Sequence, residues 1–218
     1  MTLSYTSNTS DYGLISIIIP TFNDNLEFLL LALDSISNQN YRNFECLIID
    51  DSTSEESIVF LKDYCATHSN FIYYGRYSKD GLGSALNYGM SLCKGDLIAR
   101  MDADDISVPM RLQVQAEFLH ANPSVDIVGS NMEVIDHTGQ TIGYRKYALN
   151  HSAIRRQFMF RNSLAHPTVM FRRVFDDGFR YDRSFRMCED LELWLCLLKE
   201  GYIFANINDN LVQYRESI

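Results

Sequence analysis

"LISIIIPTFN", residues 14–23, sets the fold class. From Leu14 to Pro20 the segment is nearly all apolar and rich in Ile, so both of its faces must be covered. That is the pattern of a buried parallel strand, expected to stop at Pro20. Helical spacing of Leu29, Leu33 and Ile36 follows over 25–39. A second buried strand is "FECLIID" (44–50), and a helix over 54–68 opens on Ser54 with Glu55 and Glu56 behind it. A strand at 71–75, a helix at 81–93 and a strand at 95–102 continue the cadence. Strand and helix in alternation give a parallel sheet with helices on both faces, and ligands of such sheets gather at the carboxyl ends of the strands.

Past residue 108 the reading continues with a helix at 109–121, strands at 125–135 and 141–147, and a helix at 151–160. A strand at 165–171 and a helix at 189–201 complete it. No linker, repeat or low-complexity stretch intervenes. One α/β domain is therefore expected over 14–218, with a first half to about 107 and a second from 108. Residues 1–13 are polar and read as a disordered lead-in without the cationic start and apolar core of a signal peptide. "NDNLVQYRESI" ends the chain soon after a strand-like segment, which reads as a truncation that would hide any membrane-associating tail.

The composition, 46% hydrophobic and 22% charged over 218 residues, is that of an ordinary globular protein. A net charge of -9 argues against a general nucleic-acid binder. Five cysteines with no CxxC pair point to a reduced, cytoplasmic chain. No apolar run approaches the roughly 18 residues of a membrane span. Charge is uneven: residues 145–186 carry net +7 in an otherwise acidic chain. Such a segment is either a solvated face or a surface for an anionic partner.

The expected strand ends fall at Pro20-Thr21-Phe22-Asn23, at Asp50-Asp51, near Arg76 and at Asp102-Ala103-Asp104. Crowding Asp102, Asp104 and Asp105 costs free energy unless a cation sits among them. Two hard oxygen ligands two residues apart at a strand end suit Mg²⁺ or Mn²⁺, which retain waters and share coordination with phosphates. A plain turn or helix cap accounts for one aspartate more readily than three. An EF-hand loop fails, because Ile106 and Ser107 stand where a ligand and Gly belong. A phosphatase with an aspartate nucleophile in a DxDx(T/V) loop is weakened by Ile106.

"SIIIPTFN", "LIIDDST", "GLGSALNYGM", "LIARMDADD" and "EDLELWL", in this order, resemble the inverting family 2 glycosyltransferases over about nine-tenths of the chain. The resemblance implies the GT-A fold, a mostly parallel sheet flanked by helices, and a nucleotide-sugar donor, most commonly a UDP-sugar. "IPTFNDN" disfavours the related sugar nucleotidylyltransferases, which open on a basic Gly-rich loop. By resemblance, Pro20, Thr21 and Phe22 lie along the base and ribose, and Asp50 or Asp51 accepts a hydrogen bond from the base. Arg76 lies nearby. Asp102 meets the ribose or a metal-bound water and counts with Asp104 as a metal residue, and Ala103 lies in the nucleotide-sugar site. Asp104 ligates the metal directly, and Asp105 supports the loop from behind.

Glycosyl transfer needs the leaving diphosphate neutralised and a base to deprotonate an acceptor hydroxyl. The resemblance gives the base role to Asp190, with Glu189 as alternate; without it, both would simply favour a helix N-terminus. Lone histidines such as His166 more often pack than react, but its place in the chain allows a role near the diphosphate or acceptor. The basic segment suits a lipid-linked acceptor, with peripheral contact at the inner face of the plasma membrane. The expected function is transfer in bacterial surface polysaccharide synthesis. A phosphatase and a non-catalytic sugar-nucleotide binding module are the rivals.

Overall fold

Ile15, Ile17, Ile18 and Ile19 are each no more than 1% exposed, and they cover both faces of the strand they form. In the computed structural model, which describes residues 11–76, 80–173, 180–182 and 188–216, this strand is β1 (Ile15–Thr21). Ile15, Ile17 and Ile19 face a core built with α1 (Leu26–Ser37), α2 (Glu55–Thr67) and α4 (Arg111–Ala121). Ile18 faces a second core with α3 (Leu82–Leu92), α5 (His151–Gln157) and α6 (Glu189–Glu200). Fully burying one such side chain is worth about 1.5–3 kcal/mol, so the Ile run holds β1 in the interior of the sheet, with a strand on either side.

The first half is parallel as its sequence pattern requires. β3 (Phe71–Gly75), β2 (Phe44–Asp50), β1 and β4 (Leu97–Arg100) lie side by side in that order, all in one direction. The second half makes the sheet mixed. β8 (Met170–Arg172) is antiparallel to both β4 and β6 (Ile127–Ile135). β9 (Phe204–Arg215) then runs parallel to β6, while β7 (Thr141–Arg145) and the two-residue β5 (Ile106–Ser107) pair antiparallel to β6 and β9. Among the described residues no helix is long and apolar enough to cross a membrane. All five cysteines are unpaired.

Three details depart from the sequence reading. Pro20 lies inside β1 rather than ending it, in register with Ile49. Its missing N–H costs no ladder bond, because pairing with β4 has already stopped at Ile18. The strand expected over 95–102 shortens to 97–100, so Asp102 and Asp104 stand in a turn rather than on extended chain. The strand expected at 165–171 is a 3₁₀ turn (His166–Thr168) followed by β8. The lead-in expected over 1–13 falls mostly outside the described residues.

Gly95 sits where α3 hands over to β4, and a Cβ there would lie 2.5 Å from the Leu14 carbonyl oxygen and 2.6 Å from the Ser16 nitrogen. Backbone atoms at that range cannot swing aside. Gly95→Ala is expected to destabilise the protein by about 3 kcal/mol, at the upper end for overpacking. Gly143→Ala, with open space around its Cβ, should stay within about 0.5 kcal/mol. Urea unfolding of the two variants checks the contrast.

Candidate functional site

Where β1 and β4 give out at their carboxyl ends, a cleft of about 470 Å³ opens. It is lined by Pro20, Thr21 and Phe22, by Asp24, by Asp51, by Gly81, Leu82 and Ala85 of the α3 start, and by Asp102, Ala103 and Asp104. The loops after β1 and β2 are tied by Asn23, whose φ of 52° is one that asparagine tolerates. Its side-chain oxygen accepts from the Thr53 and Ser54 N–H groups at 2.9 and 3.0 Å, and its own N–H donates to Ser52 Oγ at 2.8 Å. Phe22, 55% exposed, is left standing at the mouth.

The two candidates Asp50 and Asp51 have different surroundings. Asp50 is 1% exposed and accepts from Thr21 Oγ1 at 2.9 Å, the Ser52 N–H at 2.9 Å and Tyr73 Oη at 2.8 Å. Its oxygens are committed to holding strand ends together. Asp51 lines the cleft, with Arg76 Nε 3.3 Å away. The Arg76 side chain is only 8% exposed, donates to Ser84 Oγ at 3.2 Å and lies 5.7 Å from the Tyr88 ring, so it is no free surface arginine.

The loop 101–105 rests on arginines that the sequence reading did not single out. Arg100, 3% exposed, grips Asp102 with both terminal nitrogens, one of them at 2.7 Å. Arg111, fully buried, donates to the Arg100 carbonyl at 2.7 Å and to Gln115 at 3.0 Å. Arg215 gives its N–H to Asp105 at 2.8 Å and its Nε to the Asp104 carbonyl at 3.0 Å. Asp105 is wholly buried, and burial together with the nearby Asp102 pushes its carboxyl up to about 8.

Asp104 keeps its carboxylate at the cleft, where burial and then Asp102 raise its pKa. Asp24, across the same cleft, is raised by burial and by the charges of Asp104, Asp102 and Asp50. Carboxylates that repel one another around an open space are a fit for a divalent cation with hard oxygen ligands. Among the described residues no group of three or more His, Cys, Asp or Glu converges on one point. A cation bound here would draw the rest of its shell from water and phosphate oxygens, as Mg²⁺ and Mn²⁺ do.

The α6 start meets this cleft through α3. Asn87 holds Tyr181 by two backbone bonds, donating to its carbonyl at 2.8 Å and accepting its N–H at 2.9 Å. One turn earlier, a Cβ on Gly83 would lie 3.1 Å from Tyr181 Cβ and 3.7 Å from Glu189 Cγ. The Gly and Asn of "GLGSALNYGM" thus seat the second half against α3, the helix that lines the cleft. Asp190 is half-buried: Asn162 Nδ2 donates to one oxygen at 2.5 Å and the Leu191 N–H to the other at 2.8 Å. Asp24, Gly81, Leu82, Ala85 and Asn162 were missed from sequence, although Asp24 and the three α3 residues lie in or beside stretches already noted there.

His166 does not line the cleft. It is 9% exposed, shares a 2.8 Å hydrogen bond with Tyr181 Oη and meets Trp194 edge-on with ring centroids 5.9 Å apart. Burial and the Arg100 charge hold its pKa well below the ordinary value. The folded protein therefore keeps His166 neutral, whereas the unfolded chain takes up a proton below about pH 6.5. Stability owed to His166 is present above that pH and is lost as pH falls, at up to about 1.4 kcal/mol per pH unit. The advantage of the parent chain over His166→Gln should be largest near pH 8 and shrink below pH 6.5. Urea midpoints across that range test this; parallel profiles would count against it.

The family model described as glycosyl transferase family 2 matches residues 16–179. The chain is 35% identical over 193 residues to the O-antigen biosynthesis glycosyltransferase WbnJ of Escherichia coli, covering 87% of this chain and 74% of that protein. It is 30% identical over 195 residues to the Escherichia coli UDP-Gal:alpha-D-GlcNAc-diphosphoundecaprenol beta-1,3-galactosyltransferase, covering 87% and 69%. The S. aureus TarS 1–349 structure in complex with UDP-GlcNAc superimposes with a TM-score of 0.76 at 17% identity. That match covers 94% of this chain but only 59% of the TarS chain, and it establishes the shared GT-A fold. With most of its length matched by the family model and a relative at 35% identity, the chain belongs to glycosyl transferase family 2.

Proposed function

We propose that this glycosyltransferase moves a sugar from a UDP-sugar to a hydroxyl of a lipid-linked glycan, with inversion and with Mn²⁺ or Mg²⁺ bound at Asp104. The observation that carries the reading is the acidic cleft at the carboxyl ends of the strands, with the α3 N-terminus on its wall. Asp51 with Arg76 offers a paired acceptor and donor for the base, and Pro20, Thr21 and Phe22 offer a surface for it. Ala103, 4% exposed, leaves room beside Asp102 and Asp104. Gly81 and Leu82 open α3 with no side-chain cap among the described residues, so its first N–H groups suit an anion. A bound divalent cation would act as Lewis acid to the leaving diphosphate.

Asp190 is the proposed base, with Glu189 as its neighbour and alternate on the first turn of α6. Asn162 and the Leu191 N–H fix the carboxylate rotamer, which is what a base needs in order to meet one hydroxyl in one geometry. His166 is proposed to act only by shaping this wall through Tyr181. The lipid-linked acceptor is supported by the galactosyltransferase relative, whose name specifies a diphosphoundecaprenol substrate, and by the basic segment 145–186, part of which lies outside the described residues. The site of action proposed is the cytoplasmic face of the membrane. The phosphatase reading loses its nucleophile, because both Asp102 oxygens face Arg100.

Two variants test the division of labour. Asp104→Ala should abolish the part of UDP-sugar thermal stabilisation that depends on Mn²⁺. Asp190→Asn should keep that stabilisation while transfer falls by about 10²- to 10⁴-fold. Unchanged transfer in Asp190→Asn would move the base elsewhere, first to Glu189. Metal-independent nucleotide binding in the parent chain would remove Asp104 from the role given to it.

A further inference from the structure

The segment after α5 has the two most exposed large hydrophobic side chains among the described residues: Met159 at 71% and Phe160 at 86%. Neither is on a loose strand of chain. Phe158 continues the helical pattern to the Ile154 carbonyl at 3.0 Å, and Phe160 and Arg161 both donate to the Gln157 carbonyl at 2.9 Å. Ile154 and Phe158 are buried, and the Phe158 ring packs edge-on to Phe204 at 6.2 Å. The turn is anchored from beneath and lifts Met159 and Phe160 outward as a pair.

Charge identifies what such a tip fits. From Arg145 to Arg173 the sequence has seven Lys or Arg and no Asp or Glu, in a chain of net charge -9. Three of the seven already have partners elsewhere in the chain. Arg145 pairs with Glu216, Arg172 donates to carbonyls at the α4 end at 2.6 and 3.0 Å, and Arg173 donates to the Cys93 carbonyl at 3.1 Å. Arg155, Arg156 and Arg161 are exposed in the same stretch as the apolar pair, and among the described residues their one side-chain hydrogen bond is that of Arg161 to neutral Gln157 at 3.3 Å. An exposed apolar pair flanked along the chain by three exposed guanidinium groups matches acyl chains beneath anionic headgroups better than it matches a neutral protein face.

We propose that this turn is a membrane-docking tip, in which Met159 and Phe160 enter an anionic bilayer while Arg155, Arg156 and Arg161 meet its headgroups. The proposal deepens the lipid-linked acceptor reading and rests on it for its use. Asn162, the next residue, is the one that holds Asp190 at 2.5 Å, so docking would bring the acceptor side of the site to the membrane surface.

Flotation of the 218-residue chain with phosphatidylcholine vesicles, with and without phosphatidylglycerol, tests it. Binding is expected only with phosphatidylglycerol and should weaken as salt rises. Met159→Ser/Phe160→Ser and Arg155→Glu/Arg156→Glu should each lower partitioning by about tenfold or more, since each basic residue near such a surface is worth about fivefold. The fluorescence of the Phe160→Trp variant should shift to the blue on vesicle binding and be quenched by brominated acyl chains. No binding by the parent chain, equal binding by both double variants, or an unshifted emission from the Phe160→Trp variant would overturn the proposal. So would a concentration-dependent dimer in sedimentation that Met159→Ser/Phe160→Ser abolishes, which would assign the patch to a second copy. UDP-sugar stabilisation with Mn²⁺ should be unchanged in the double variants. Vesicle binding without any such stabilisation would keep the tip and discard the donor-site reading.

Discussion

Arg100, Arg111 and Arg215 lie beneath the loop that carries Asp102, Asp104 and Asp105, and the ion pair of Arg100 with Asp102 is the contact on which the loop's geometry depends. Removing one partner of a buried charge pair costs about 3–5 kcal/mol, because the other is left uncompensated in a poor solvent for charge. The result is a loop whose geometry is over-determined from below. Asp102 is gripped through both oxygens, Asp105 is tied to the Arg215 backbone, and Asp104 is left with its carboxylate at the cleft. The stiffness that a ligand site requires comes from this layer rather than from the loop's own backbone.

That layer also explains why the second half of the chain is built into the same sheet. Arg215 is the last residue of β9, and β9 reaches the loop because it runs along β6 for its whole length, with register shifts between Ser130 and Met132. β5, only two residues long, pairs Ile106 with Gln213 and Ser107 with Val212, pinning the loop's exit to the same strand. From the other side, Gln115 on α4 donates to the Thr168 carbonyl at 2.7 Å, linking the base of the loop to the 3₁₀ turn that contains His166. A strand, a helix and a turn far apart in sequence therefore converge on one short loop.

Periodicity made most elements legible, because buried strands and amphipathic helices each impose a spacing that no neighbour has to supply. The strand ends were legible for the same reason, and so the lining of the cleft by Thr21, Asp51, Asp102 and Asp104 followed from topology. What sequence could not give was the partner of each charge. The crowding at 102–105 announced a need for cations, yet Arg100 looked like one residue of an apolar run, and Arg215 lies 110 residues from Asp105. Asp50 and Asp51 were indistinguishable until Thr21, Ser52 and Tyr73 were seen to occupy Asp50. Pro20 misled because its effect depends on whether the neighbouring strand extends past it, which is a fact about β4 and not about β1.

Arg100 offsets Asp102 but leaves the cleft itself acidic. Asp24 and Asp104 both have raised pKa values, by burial first and by neighbouring carboxylates next, so the space between them favours positive charge. A diphosphate entering alone would meet those carboxylates with only Arg76, already engaged with Asp51, and the α3 N-terminus to attract it. A helix N-terminus supplies about half a charge, too little to offset two ionised carboxylates. A divalent cation alone would find few protein ligands, because Asp102 is held by Arg100. Under the proposed donor and cation, each ligand would supply what the other lacks, and by linkage each would raise the affinity for the other by the same factor. The acidity left in the cleft would then make the two bind cooperatively, to an extent set by how much of the loop's charge Arg100 neutralises and how much it leaves.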